Sequence, residues 1–198
     1  MAKAAGIEMS ECELLEEGGR AHFVTRRYDR PGTSGDRLHM QSLCGLTGLD
    51  FNATETNDYA SLFTAAAELG ITDTVQIFRR MTFNVLASNN DDHTKNHAFL
   101  MNPEGEWKLS PAYDVTFAYN PASVWTSKHL MSVNAKFEGI TRDDLHAVGE
   151  KFQVPGHRAI VREVEVVVES WPQFAAEAQL PQERTEEVQR RLVELRLD

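Results

Sequence analysis

The polar stretch at residues 87–117 constrains the fold of this chain more than any other part of the sequence. Within it, two short apolar segments at 97–101 and 107–109 lie on either side of the sequence Asn-Pro-Glu-Gly-Glu, which is typical of a turn. The two segments are therefore predicted to pair as a small hairpin. A hairpin brings its two ends together, so we expect residues 91–96 and Asp114 to lie on the same side of it.

Two amphipathic helices are predicted before the polar stretch. The dipeptide Asn-Asp at 57–58 is suited to cap the first helix, whose apolar residues recur at helical spacing over 59–69. Thr72 or Asp73 is suited to cap the second helix, which continues to residue 86. The second helix therefore delivers the chain directly to the polar stretch.

The C-terminal third is predicted to be helical. Thr141 and Asp144 have the spacing of a capping pair and begin the first helix. A second helix is expected over about 156–170, ending before Pro172, and a third over about 181–197. These segments make helices the main secondary structure of the chain.

The N-terminal segment is predicted to contribute a β-hairpin, because two short strand-like runs flank Gly18-Gly19. The first residues, MAKAAGI, read as the end of a helix that stops at Gly6. The predicted fold class is therefore α+β and mostly α-helical, with a short hairpin near the N-terminus and a small hairpin in the polar stretch.

Composition narrows the classes of function. The formal net charge of -10 argues against a surface that binds nucleic-acid phosphate and favours a basic partner. Two cysteines without CxxC spacing argue against a disulfide scaffold or a zinc knuckle, and they favour a reducing, cytoplasmic location. No run approaches the ~20 apolar residues of a membrane-spanning helix, and the N-terminus is too polar for a signal peptide. We therefore expect no membrane partner.

The polar stretch has the residue types of a phosphoryl-transfer site. Asp91 and Asn96, five residues apart, can direct a carboxylate at a substrate hydroxyl and an amide oxygen at a metal. Asp114, returned by the hairpin, would complete a set of oxygen ligands suited to magnesium. Lys95 or a protonated His93 could balance the charge of a phosphoryl group. Protein-kinase catalytic loops divide the work in this way, although the usual HRD and DFG triplets are absent here.

Other interpretations of the same residues stay open at this point. Asp and Asn also favour turns and helix caps, and Asp92 is expected to be a solvated or capping carboxylate. His93 and His97, with Asp91 and Asp92, could instead form a metallohydrolase site. The two arginines at 79–80 are expected to point to solvent or to pair with acidic groups.

The sequence blocks NNDDHTKNHAFL and WKLSPAYDV resemble the signature blocks of HipA-like serine/threonine kinases, the toxins of bacterial toxin–antitoxin modules. The resemblance extends to AKAAGIEM, RAHFVTRRYDR and RLHMQSLCGL, and it weakens after about Phe137. It implies part of a two-lobed kinase whose larger C-lobe is mostly helical. The implied reaction uses ATP and Mg²⁺ and transfers a phosphoryl group to a serine or threonine of a protein.

The resemblance also implies roles for individual residues. Asp91 matches the catalytic base, and Asn96 and Asp114 match the magnesium ligands. The further nucleotide-binding positions that it implies are Arg26, Tyr28, His93, Thr94, Lys95 and Tyr113. The segment 26–28 matches the hinge, whose backbone would meet the adenine.

Two parts of a kinase have no candidate in this sequence: a loop over the phosphates and a strand lysine that clamps them. We therefore expect residues 1–30 to be a remnant of the N-lobe and hinge, and 31–198 to be the C-lobe. Such a chain would be inactive alone and would need a separate chain, or a missing part, to supply the N-lobe. The implied partners are a protein substrate, in known cases of the family an aminoacyl-tRNA synthetase, and a helix-turn-helix antitoxin. The alternative is a non-catalytic module, derived from the kinase lobe, that docks an antitoxin or another protein.

Overall fold

A computed structural model of the protein describes residues 1–32 and 35–194. These residues form seven α-helices, which lie mainly in the second half of the chain. In chain order the helices are α1 (Leu43–Thr47), α2 (Tyr59–Glu68), α3 (Thr74–Leu86), α4 (Arg142–Lys151), α5 (His157–Glu169), α6 (Trp171–Glu177) and α7 (Gln182–Glu194). None of the helices in this described part is long and apolar enough to cross a membrane.

Three small sheets accompany the helices in the described ranges. Their strands are β1 (Cys12–Glu17), β2 (Arg20–Thr25), β3 (His39–Ser42), β4 (Asn57–Asp58), β5 (Ala98–Met101), β6 (Trp107–Leu109) and β7 (Met131–Ser132). β1 and β2 form an antiparallel hairpin, β3, β5 and β6 form an antiparallel sheet in that order, and β4 pairs in parallel with β7. The mixed architecture agrees with the predicted fold class.

Side-chain caps define where three of the predicted helices begin. The Asp58 carboxylate accepts a hydrogen bond from the Ser61 amide at 2.6 Å, and Asp73 caps α3 in the same way. Thr141 and Asp144 form the expected capping box at the start of α4. The sequence signals for these helices are therefore confirmed.

The core is organised around α3, which is buried on most sides and packs on α5. Phe78 of α3 is fully buried and meets the His157 ring edge-on, with 6.2 Å between the ring centroids. On α5, Val161, Val164 and Val168 are buried although β-branched residues are poor helix formers. Packing against α3 therefore offsets the low helix propensity of this segment.

The predicted helix ends can be compared with the structure. The first residues form one helical turn that stops at Gly6, as the sequence predicted: the Ala5 amide donates to the Met1 carbonyl at 3.0 Å, the Ile7 amide donates to the Ala2 carbonyl at 3.1 Å, and Gly6 has a left-handed φ of 75°. α5 ends at Glu169, before Pro172, as predicted, and Pro172 lies in the first turn of the next helix, α6, where its missing N–H costs nothing. α7 begins as expected, and the predicted end of this helix near residue 197 lies outside the described residues.

The β1–β2 hairpin is the least covered part of the fold. All twelve of its residues are exposed, including four large apolar side chains: Leu14, Leu15, Phe23 and Val24. Gly18 and Gly19 make its turn, both with positive φ, as the sequence predicted. This Gly pair is a hairpin turn and not a phosphate-binding loop.

Candidate active site

The end of α3 delivers the chain to the polar loop through a tight turn. Ser88 has a left-handed φ of 52°, and the backbone then runs inward so that Asn89 and Asn90 are buried. The Asn90 amide donates to the Thr126 carbonyl at 3.1 Å, while Asn89 donates to the Asn84 side chain at 3.1 Å. The base of the loop is therefore fixed to α3 and to the segment that follows the small hairpin.

Asp91 is the partly exposed carboxylate of this loop, with 41% of its side chain accessible. The Asn96 amide donates to the Asp91 carbonyl at 2.8 Å, which closes the loop around a 3-10 turn at Thr94–Asn96. His93 lies beside the carboxylate, with its Nε2 3.8 Å from Asp91 Oδ1. Among the described residues the Asn96 NH₂ group has a partner inside the loop and its amide oxygen has none, so this oxygen is left for a ligand.

The small hairpin of β5 and β6 brings Asp114 back to this loop. Asn96 and Asp114 line the same small cavity of about 10 Å³. The Tyr113 hydroxyl donates to the Lys95 carbonyl, and Asn89 Nδ2 lies 3.5 Å from the Asp114 carbonyl. The structure therefore places the two ends of the hairpin on one side, as the turn chemistry predicted.

Asp114 has a left-handed backbone, with φ of 54°. Such a conformation costs a non-glycine residue about 1–3 kcal/mol, and it persists only where the surroundings determine it. It is found here at a predicted functional residue, which is where strained backbones commonly occur in proteins.

A second, much larger cavity of about 890 Å³ lies on the other side of Asp114. Its walls include the predicted hinge residues Arg26 and Tyr28 together with Tyr113. The Tyr28 and Tyr113 rings are in contact, with 5.7 Å between their centroids. Asp114 lines both cavities, so it stands where the predicted hinge and the predicted metal site meet.

Three residues of the predicted nucleotide set are placed elsewhere. Thr94 is fully buried. The Lys95 ammonium lies over the Phe51 ring, 3.2 Å from its centroid, and the His93 ring meets the same Phe51 edge-on. None of the three lines the small or the large cavity, and Lys95 and His93 are grouped around Phe51 rather than with Asp114.

The expectation for Asp92 was wrong. This carboxylate is completely buried and accepts hydrogen bonds from Tyr59, His129 and the amides of Leu130 and Met131. It is neither solvated nor a helix cap. The residues next to Asp92 in the sequence could not reveal its burial, because the donors to its carboxylate lie 33 to 39 residues away.

The expectation for the two arginines was half right. Arg79 pairs with Glu163 at 2.9 Å, as expected, although only 14% of its side chain is exposed. Arg80 instead is buried and donates to the Ser110 carbonyl at 2.6 Å. Burial lowers the pKa of Arg80 to about 10, which still leaves it charged at neutral pH. This buried cation ties α3 to the strand end that precedes Asp114.

The residues at the small cavity fit a magnesium ion that also binds a phosphate. Among the described residues, no group of three or more His, Cys, Asp or Glu could hold a metal unaided. Mg²⁺ is typically held by one or two carboxylates, with water and phosphate oxygens completing the shell. Asp114 and the free amide oxygen of Asn96 are ligands of this kind. Arg80 also lines the cavity. Because its positive charge repels a cation, Mg²⁺ would lie towards the phosphates of a bound nucleotide rather than deep inside the cavity.

Buried polar atoms also mark the small cavity as a polar site. In the described ranges, Arg80 Nε, Asn89 Oδ1 and His97 Nε2 lack a hydrogen-bond partner, and all three residues line the cavity. Buried polar groups normally have partners. The cavity has room for about one water, which could serve them.

The metallohydrolase interpretation finds no matching cluster in the part of the chain that the structure describes. His97 is buried, with its ring against Tyr59 at 5.5 Å between centroids, whereas His93 contacts Phe51 near the surface. The two imidazoles therefore belong to different environments.

Burial of His97 should make the domain sensitive to acid. Desolvation lowers the pKa of His97 from 6.5 to about 4, because the folded state favours the neutral ring. The unfolded chain binds this proton near pH 6.5, so stability is complete above that pH and is lost as the pH falls towards 4. The expected loss is about 1.4 kcal/mol per pH unit and about 3 kcal/mol in total.

Urea unfolding at pH 7, 6, 5 and 4 measures this loss. His97→Gln should flatten the dependence of the unfolding free energy on pH, whereas His22→Gln, at an exposed position, should leave it unchanged. Parallel curves for His97→Gln and the wild type would contradict the assignment.

The arrangement of helices and small sheets is that of a HipA protein. The structure of HipA in the toxin–antitoxin complex of Shewanella oneidensis MR-1 HipA and HipB with operator DNA superposes with a TM-score of 0.75. The match covers 98% of this chain and 51% of that chain, at 20% sequence identity. At this identity the similarity establishes the fold.

The sequence assigns the family. The model of the HipA-like C-terminal domain matches residues 1–194, and the chain belongs to this family. A curated relative, "Putative kinase Y4mE" of Sinorhizobium fredii (strain NBRC 101917 / NGR234), is 28% identical over 131 residues. That alignment covers 60% of this chain and 31% of the relative. The chain thus spans about a third of the curated relative and about half of the solved HipA chain.

Proposed function

We propose that this domain is the C-lobe of a HipA-like serine/threonine protein kinase, which transfers the γ-phosphoryl group of ATP to a hydroxyl of a protein. The observation that carries the proposal is the position of Asp114. Asp114 lines the large cavity with the hinge residues and the small cavity with Asn96. A nucleotide in the large cavity would therefore bring its phosphates to the candidate metal ligands.

The large cavity is suited to the nucleoside. Its volume of about 890 Å³ is within the range of ligand sites, about 300–1,000 Å³. Apolar side chains such as Met40, Val115 and Phe117 line it beside the hinge. Apolar walls suit the faces of a nucleoside base, and the backbone at 26–28 would supply its hydrogen bonds.

Asp91 would act on the acceptor hydroxyl. Its exposure allows a protein substrate to approach, and its backbone is held by Asn96. The carboxylate would orient the hydroxyl and accept its proton as the new P–O bond forms and the bond from the γ-phosphorus to the oxygen of the departing ADP breaks. Asn96 and Asp114 would hold Mg²⁺, which when bound neutralises charge on the phosphates.

Lys95 would contribute to phosphoryl transfer by moving from Phe51 towards the phosphates. Its ammonium is held over Phe51 by a cation–π contact, which is worth about 0.5–2 kcal/mol. The phosphates of a bound nucleotide carry enough charge to compete with such a contact. Lys95, or His93 in its protonated form, would then balance the charge of the transferred group, as expected from the sequence.

The proposed partners follow from the family and the charge. The HipA neighbour is in a complex with HipB and operator DNA, which supports a helix-turn-helix antitoxin as the partner of a toxin–antitoxin module. A net charge of -10 suits a basic protein partner rather than direct contact with DNA. The substrate would be a cytoplasmic protein, with an aminoacyl-tRNA synthetase as the first candidate. The loop over the phosphates and the strand lysine would come from an N-lobe.

The second candidate is a binding module without catalysis. The exposed apolar side chains of the β1–β2 hairpin favour it, because such patches often mark contacts with another protein. Genomic DNA upstream separates the two candidates. A continuous reading frame or a neighbouring gene that encodes a phosphate loop and a strand lysine favours the kinase.

Thermal unfolding with ATP and Mg²⁺ tests the proposal directly. A ligand that binds the folded state at 100 times its Kd should raise the unfolding free energy by about 2.7 kcal/mol. Asp114→Asn should remove the part of this rise in unfolding free energy that depends on Mg²⁺ and keep the part that is due to ATP alone. Absence of any shift at millimolar ATP would reject the kinase and leave the binding module.

A further inference from the structure

We propose that Asp92 is a positioning residue of the candidate site: its buried carboxylate holds the loop of Asp91 and, through Tyr59 and two asparagines, the backbone of Asp114. The inference rests on the proposed function, because it concerns the relative placement of the proposed catalytic base and a proposed metal ligand. Asp92 lines the small cavity with Asn96 and Asp114, but because its oxygens accept from protein donors it would touch neither the substrate nor the nucleotide.

All hydrogen-bonding positions of the Asp92 carboxylate are used. Oδ2 accepts from the Tyr59 hydroxyl at 2.8 Å and from His129 Nδ1 at 2.9 Å. Oδ1 accepts from the backbone amides of Leu130 at 2.8 Å and Met131 at 3.4 Å. A carboxylate has about four acceptor positions, so this one is saturated. It therefore joins the loop to α2 and to β7 and has no lone pair left for catalysis.

Because Asp92 is buried, the loss of these hydrogen bonds would be costly. Asp92 is 0% exposed, and an unpaired buried carboxylate is strongly unfavourable. Its four donors can be satisfied only if the loop keeps its present position relative to Tyr59 and residues 129–131. Because Asp91 is the next residue along the chain, its backbone is fixed by the same bonds.

A chain of polar contacts continues from Asp92 to Asp114. The Tyr59 hydroxyl accepts from Asn84 Nδ2 at 2.9 Å, and Asn84 Oδ1 accepts from Asn89 Nδ2 at 3.1 Å. Asn89 Nδ2 also lies 3.5 Å from the Asp114 carbonyl, which is the longest link. The left-handed backbone of Asp114 is thus held at the end of a network that begins at Asp92.

Tyr59 keeps its proton in this network. Burial and the neighbouring Asp92 raise its pKa well above 10, so the hydroxyl remains a donor throughout the physiological range. The direction of the chain is therefore fixed: Tyr59 donates to Asp92, and Asn84 donates to Tyr59. In Asp92→Asn, an NH₂ group in the place of Oδ2 would face two hydrogen-bond donors, Tyr59 and His129.

The test measures the affinity of the 198-residue chain for the ATP analogue AMP-PNP by calorimetry, with and without Mg²⁺. In the wild type, Mg²⁺ should tighten binding. Asp92→Asn should reduce this gain by about 10–100-fold, the usual effect of losing a group that orients metal ligands. Affinity without Mg²⁺ should be unchanged, because the large cavity does not include Asp92.

Asp144→Asn is the matched control. Asp144 is also a buried carboxylate and accepts from Asn134, Lys136 and Thr141, but it belongs to the cap of α4. Its replacement should lower stability and leave the Mg²⁺ gain intact. If Asp92→Asn does not fold, Tyr59→Phe replaces it, since it breaks the network one bond away and keeps the carboxylate. Tyr59→Phe should show a smaller loss of the same Mg²⁺-dependent kind.

The outcomes separate the inference from the proposed function. If the wild type binds AMP-PNP more tightly with Mg²⁺ and neither Asp92→Asn nor Tyr59→Phe changes this gain, Asp92 is not a positioning residue, and the kinase assignment survives. If the wild type does not bind AMP-PNP at all, the proposed function and the inference both fail. Equal losses in Asp92→Asn and Asp144→Asn would show a general effect of stability and would also overturn the inference.

Discussion

Replacement of Asp91 by asparagine is expected to lower phosphoryl transfer by about 10²–10⁴-fold, the usual contribution of a general base. The amide cannot accept the proton of the substrate hydroxyl, although it has nearly the same size and shape. Since the Asp91 side chain is 41% exposed and its carbonyl, not its carboxylate, holds Asn96, the fold should not change. The measurement is single-turnover transfer from labelled ATP to the protein substrate, by an assembly that includes an N-lobe.

The matched control for this experiment is Asp143→Asn, which removes an exposed carboxylate from the first turn of α4. It should leave the transfer rate unchanged. Thermal unfolding of both variants checks that the fold is kept. Transfer by Asp91→Asn at the rate of the wild type would remove Asp91 from the mechanism, whatever the other residues do.

Replacement of Phe78 by alanine is expected to have the largest effect on stability. Phe78 is fully buried on α3 and contacts His157 of α5. Loss of a buried Phe side chain costs about 3–5 kcal/mol, which comprises the lost transfer free energy and the cavity that remains. This is a large share of the ~5–15 kcal/mol by which a typical domain is stable. Urea unfolding measures the difference.

Phe23→Ala is the control for Phe78→Ala. Phe23 has the same side chain but is 68% exposed in the β1–β2 hairpin. An exposed substitution of this kind should change the unfolding free energy by no more than about 0.5 kcal/mol. Similar losses in the two variants would show that α3 is not the centre of the core. Because α3 leads directly into the loop of Asp91, Phe78→Ala should also weaken binding of ATP.

Local signals were enough to predict the elements that carry the candidate site. The small hairpin followed from its turn residues, and the beginnings of α2, α3 and α4 followed from their capping residues. Each of these features is decided within a few residues of sequence. They already imply that Asp114 returns to the loop of Asp91, since a hairpin joins its own ends.

The features that the sequence did not reveal depend on distant parts of the chain. Asp92 and Arg80 look like surface residues in the sequence, and their burial is decided by partners such as His129 and Ser110. The position of Lys95 depends on its contact with Phe51, which lies 44 residues earlier in the chain (95 − 51). The short helix α1 covers only five residues, too few to show a helical period. Sequence patterns therefore predicted the helices and strands that carry the site better than the contacts of its side chains.

The exposed hairpin has a consequence for the behaviour of this domain in solution. In the described part of the chain, neither β1 nor β2 pairs with a third strand, so each presents an open edge next to large apolar side chains. Open edges of this kind pair readily with other chains, and a two-stranded hairpin alone is only marginally stable in water. The isolated domain should therefore self-associate as its concentration rises. Any chain that extends this sheet would raise the solubility of the domain.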